Sequence, residues 1–107
     1  MIKIILFKDK EHNPKGFQCS GHAGYSDYGT DIICASVSIL SQNTVNSVEM
    51  FTKDKFDYSE DDGYSKFVFK DIPSDAGRLL FNSFELGVKS IRDSYGKKYI
   101  RIENQEV

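Results

Sequence analysis

The residues best equipped for chemistry fall together between Gly21 and Ser38, in the run Gly-His-Ala-Gly-Tyr-Ser-Asp-Tyr-Gly-Thr-Asp-Ile-Ile-Cys-Ala-Ser-Val-Ser. A cysteine attacks as its thiolate, and a histidine beside it serves as base or as imidazolium partner. Asp31 stands directly before the apolar Ile32 and Ile33, where a short acidic side chain caps a helix. Cys34 then falls in the first turn, among unpaired N–H groups and at the positive end of the helix dipole, both of which favour a thiolate. His22 sits at the end of a strand-like segment and reaches toward that turn through a connection containing Gly24 and Gly29. Ser38, four residues beyond Cys34, shares its helix face and is placed to hydrogen-bond the sulfur or the imidazole.

Asp31 acts in two directions. As a cap it orders the helix start, but its charge opposes a thiolate at Cys34 unless the carboxylate is occupied by backbone N–H groups or by His22. A plainer reading stands beside the chemical one. A lone cysteine among Ile33, Ala35 and Val37 is often a small buried hydrophobe, a histidine at a strand end is often structural, and Ser38 can simply fill space. Cys19, with apolar neighbours at alternate positions, belongs to the core.

The elements that must position these groups follow from periodicity. Residues 2–7 and 17–22 alternate as strands joined through a polar turn at Asn13-Pro14, so His22 closes the second strand. Val37, Leu40, Thr44, Val48 and Phe51 recur at steps of three and four, predicting a helix of about five turns that ends near Lys53. Residues 56–59 and 64–70 form a hairpin around Asp62-Gly63, a pair suited to positive φ. Ala76, Leu80, Phe84, Val88, Ile91 and Tyr95 predict a second helix, opened at Pro73-Ser74 and stopped by Gly96 as a left-handed C-cap. Tyr99 to Glu103 is a last strand. The order ββαββαβ gives each helix a sheet on which to bury its stripe, so the expected fold is α+β: a two-layer sandwich of two helices on a mostly antiparallel sheet, with residues 1–107 as one domain.

Composition narrows the function. The 107 residues carry 14 Lys and Arg against 16 Asp and Glu, and no segment clusters enough basic groups to grip phosphates, which argues against nucleic acid as a partner. The apolar run Ile4–Phe7 is far short of the roughly 20 residues of a membrane span, so no membrane association and a cytoplasmic location are expected. Two cysteines in a reducing compartment are free thiols, and with two histidines they follow no metal-ligand spacing. No metal or other cofactor is expected.

The run resembles the signature of the ribosomal-processing cysteine protease family Prp, through Gly21-His22-Ala23, Tyr28-Gly29, Asp31-Ile32, Cys34-Ala35 and Ser38. Length, an N-terminal strand, the acidic hairpin at Asp61–Gly63 and a second helix of Leu and Phe character agree in order; Cys19 lies outside the pattern. The resemblance implies a Cys34/His22 dyad supported by Asp31 and Ser38, peptide hydrolysis without a cofactor, and a homodimer. It also implies the substrate, bacterial large-subunit ribosomal protein twenty-seven, whose N-terminal extension is cut after Phe-Phe and before Ala. On this reading Gly21, Gly24 and Gly29 belong to a mobile loop ordered by substrate, and Tyr25 and Tyr28 offer flat surfaces to the Phe pair, with aromatic burial outweighing charge. The alternative is a binding module of the same fold that holds a ribosomal protein or another peptide without cutting it.

Overall fold

Isoleucine, leucine and phenylalanine at alternate positions build the first hairpin of the computed structural model, which describes residues 1–24 and 31–107. Its strands are β1 (Ile2–Lys8) and β2 (Pro14–Ser20), followed by α1 (Ile32–Phe51), the hairpin β3 (Phe56–Asp61) and β4 (Tyr64–Phe69), α2 (Asp75–Tyr95) and β5 (Ile100–Glu106). The ββαββαβ order is the one read from periodicity, and the architecture is α+β. One sheet runs β3-β4-β2-β1-β5. The pairs β1–β2, β2–β4 and β3–β4 are antiparallel, whereas β5 lies parallel to β1 with Ile2 opposite Ile100. The sheet is therefore mixed. A parallel neighbour cannot be reached by a tight turn, and α2 supplies the crossover.

Both helices press on one face of the sheet. Ile2, Ile4, Leu6, Phe17, Phe67, Phe69 and Ile100 from the strands meet Ile33, Val37, Val45, Val48, Phe81, Phe84 and Val88 from the helices in a single buried core. Its centre is aromatic: Phe17 stacks between Phe84, 4.0 Å away by ring centroids, and Phe67, 5.3 Å away. Gly87 lets the helices approach, since a Cβ there would come within 2.8 Å of a Leu40 methyl.

Several details differ from the expected ones. β2 ends at Ser20, so His22 lies beyond the strand rather than at its last position. The stripe of α1 is rotated toward Ile33, Val37, Ser41, Thr44, Val45 and Val48, leaving Leu40 half-buried against α2 and Phe51 73% exposed. Gly96 caps α2 through its N–H to the Arg92 carbonyl at 2.8 Å with the positive φ that glycine favours, 103°, but its ψ of 153° lies outside the left-handed helical region. β5 continues to Glu106, because pairing with the whole of β1 outlasts the apolar alternation that marked its start.

Candidate active site

Asp31 caps α1 as its sequence position demands. Its Oδ1 accepts from the Ile33 N–H and the Cys34 N–H, each at 3.0 Å, and its carbonyl accepts from Ala35 at 3.1 Å. This fixes the first turn and with it Cys34, which is half-buried. The same cap spends the helix-start N–H groups of Ile33 and Cys34, so they are not offered to an incoming anion. The donor at the sulfur comes from elsewhere: the Ala23 N–H donates to Cys34 Sγ at 3.2 Å, joining the segment after β2 to the start of α1.

His22 is placed by backbone bonds on both sides. The Gly21 N–H donates to the Gly63 carbonyl at 2.9 Å, and the His22 carbonyl accepts from the Met1 nitrogen. Gly21 sits at φ +87°, where a Cβ would fall 2.4 Å from the Met1 carbonyl oxygen, so glycine here serves close backbone packing as well as an unusual torsion. Gly24, at φ +70°, has open space around it. The expectations attached to Tyr25, Tyr28 and Gly29 lie outside the described residues.

His22, Asp31, Cys34 and Ser38 line one cleft of about 640 Å³, with Gly21 and Gly24 on its wall. Sequence reasoning missed its far side, which is supplied by β3, β4 and the turn between them: Tyr58, Glu60, Asp61, Asp62, Gly63, Tyr64 and Ser65. The antiparallel register of β2 with β4, which sets Ser20 opposite Tyr64, carries the turn to the segment holding His22. Only the Asp-Gly turn was visible as a signal, and nothing in one sequence says which strand it lies beside. Asp31, Glu60, Asp61 and Asp62 give the cleft four carboxylates, and among the described lining residues there is no Lys or Arg. The described lining is therefore acidic, with Tyr58 and Tyr64 as its aromatic residues.

The two cysteines have different environments. Burial pushes the Cys19 thiol up to about 12, with Ser65 as a hydrogen-bond partner that only partly offsets it, as befits a core residue. The Cys34 thiol is also raised, first by burial and further by the Asp31 carboxylate as acceptor and as charge, while the Ala23 N–H pulls the other way. The helix start alone would favour a thiolate; here burial and the cap's own charge push the other way. Replacing Asp31 with Asn keeps a capping oxygen but removes the charge, so the Cys34 thiol should come down. Alkylation by iodoacetamide at pH 7–8 is expected to quicken severalfold in Asp31→Asn, read by mass spectrometry of the Cys34 peptide; a rate equal to or below wild type would contradict the assigned cause.

A family model described as cysteine protease Prp matches residues 1–101. Ribosomal processing cysteine proteases Prp of Staphylococcus aureus and Bacillus subtilis are 28% and 26% identical, over 91% and 89% of this chain and 93% and 90% of their own. The crystal structure of an essential ribosomal processing protease Prp from S. aureus with a covalently linked product peptide superposes with a TM-score of 0.92 at 25% identity, covering 98% of this chain and all of that one. A second S. aureus Prp structure, with a substrate peptide, gives 0.87 at 24% identity over the same share of each chain.

Proposed function

This chain belongs to the cysteine protease Prp family, and from that premise we propose that it is an endopeptidase in which Cys34 is the nucleophile and His22 the proton carrier. The observation that supports this most is the convergence of His22, Cys34 and the Ala23 N–H on one cleft. Burial and the Asp31 charge raise the Cys34 thiol, and His22 takes its proton as a general base when substrate seats. The sulfur then bonds to the scissile carbonyl carbon, and the Ala23 N–H, released from Sγ, donates to the oxygen that becomes negative. The C–N bond breaks as His22 protonates the leaving amine. Water, deprotonated by His22, cleaves the thioester, and the proton returns to the sulfur. Asp31 holds the first turn of α1 in place, and Ser38, one turn on, presents a hydroxyl to the cleft.

The substrate we propose is the N-terminal extension of bacterial large-subunit ribosomal protein twenty-seven, cut after Phe-Phe and before Ala, which places the protein in the cytoplasm. A peptide with that sequence should be cleaved at the Phe-Ala bond. Changing the Phe before the cut to Ala should lower kcat/KM by roughly tenfold to a hundredfold or more, the equivalent of about 1.5–3 kcal/mol for one buried ring. Changing a Lys downstream to Ala should cost less, although the four carboxylates of the cleft give it a measurable effect at low salt. An intact peptide after long incubation would favour a module that binds without cutting, and a dominant loss with the Lys→Ala peptide would make charge the selector.

We also propose a homodimer. Ile39, Met50, Phe51, Leu79 and Leu86 remain exposed on the two helices, and Ile32, Leu40, Gly87 and Ile91 line an apolar groove between them. Light scattering giving the mass of a single chain at micromolar concentration would refute it. Among the described residues, no helix is long and apolar enough to cross a membrane.

A further inference from the structure

Gly63 lies outside the run that carries the chemistry, yet it stands directly against His22. It completes the turn between β3 and β4 at φ +67°. A Cβ built on it would lie 2.9 Å from His22 Nε2, 3.5 Å from Cε1 and 3.6 Å from Cδ2. The imidazole therefore occupies the space that any other residue at 63 would fill.

We propose that Gly63 is a positioning residue for His22: the β3–β4 turn is the wall on which the imidazole rests, and the missing side chain there sets where the ring stands in the cleft. This deepens the reading of His22 as proton carrier and rests on it. The backbone around His22 is already tied, through the Gly21 N–H to the Gly63 carbonyl and through the His22 carbonyl to the Met1 nitrogen. The surface of Gly63 is one limit on rotation about the side-chain torsions. The clash falls on the far end of a side chain, not on backbone, so a Cβ at 63 turns the ring while the hairpin persists.

Two demands meet at Gly63 and are separable. Positive φ is met by Asn at little cost as well as by Gly, whereas the space over the imidazole is met by Gly alone. Gly63→Asn thus isolates the second demand, and Gly63→Ala imposes both. In Gly63→Asn the thermal midpoint should stay within a few degrees of wild type and the His22 ring proton resonance should move. Cleavage of the Phe-Phe-Ala peptide should lose about tenfold to a hundredfold in kcat, with KM within about threefold. Gly63→Ala should repeat that loss with lower stability. In a His22→Ala background the Gly63 substitutions should lower residual activity no further, because no imidazole is left to displace.

A folded Gly63→Asn protein with an unmoved His22 resonance or wild-type kcat overturns the proposal, as does a loss confined to KM or one that persists undiminished in the His22→Ala background. If Gly63→Asn folds poorly, the ring resonance and kcat of folded Gly63→Ala decide by the same criteria. The ring resonance also keeps the two readings apart. If wild type leaves the peptide intact, the assignment of activity fails, while a moved resonance still supports the wall and an unmoved one still overturns it.

Discussion

Replacing Cys34 with alanine is expected to abolish peptide cleavage, by roughly 10⁴- to 10⁶-fold in kcat, while the fold stays intact. The sulfur is the atom proposed to bond to the scissile carbonyl; among the described residues near it, Asp31 is engaged by two N–H groups, and Cys19, though it lines the same cleft, is buried with its thiol pushed up to about 12. The change removes one half-buried atom at a helix start whose cap is untouched, so circular dichroism and thermal midpoint should hardly alter. His22→Ala should lose most of the activity as well, since the thiol is raised by its surroundings and needs a base to lose its proton. Cys19→Ser should retain activity, because the new hydroxyl lies near Ser65 and can share its hydrogen bond. Purified Cys34→Ala protein that still cleaves near the wild-type rate, free of contaminating protease, would falsify the assignment of the nucleophile.

The largest effect on stability is expected at Phe84. Its side chain is fully buried and stacks at 4.0 Å on Phe17, which in turn stacks on Phe67, so it carries α2 onto the middle of the sheet. Phe84→Ala removes a whole ring, and the aromatic partners on β2 and β4 are held by their ladder and cannot close the gap. A loss of about 3–5 kcal/mol is expected. For a domain of this length each kcal/mol corresponds to roughly 4–8 °C in thermal midpoint. The consequence for activity separates core from chemistry: at low temperature, where the variant is still folded, kcat per folded molecule should match wild type, and only the folded fraction should fall. A thermal midpoint within a few degrees of wild type would show that the core repacks around the missing ring.

Element types and order were legible because each rests on a local pattern. Alternation at Ile2, Ile4 and Leu6, steps of three and four from Val37 to Val48, the Ser74 cap and the Asp62-Gly63 turn are properties of short segments, and a single sequence displays them. One half of the cleft was legible for the same reason. Asp31 caps the helix that presents Cys34, and both lie within one turn. Details that depend on neighbours were displaced: Phe51 fits the helical spacing but projects past the sheet into solvent, and β5 is extended by its partner rather than by its own residues.

What only the tertiary structure decided is everything set by pairing between distant segments. The order β3-β4-β2-β1-β5 brings Gly63 to His22 and gives the cleft its acidic wall, and those residues are about forty positions apart in the chain. The environment of Cys34 was decided there too. The helix dipole and Asp31 can both be read from the sequence, but they act with opposite sign, and burial, which raises the thiol further, exists only once the segment after β2 has folded over the start of α1. The residues themselves fix which groups can react. Register and desolvation fix which of them meet and in what surroundings, because both are energies of contact between segments that no single stretch of sequence contains.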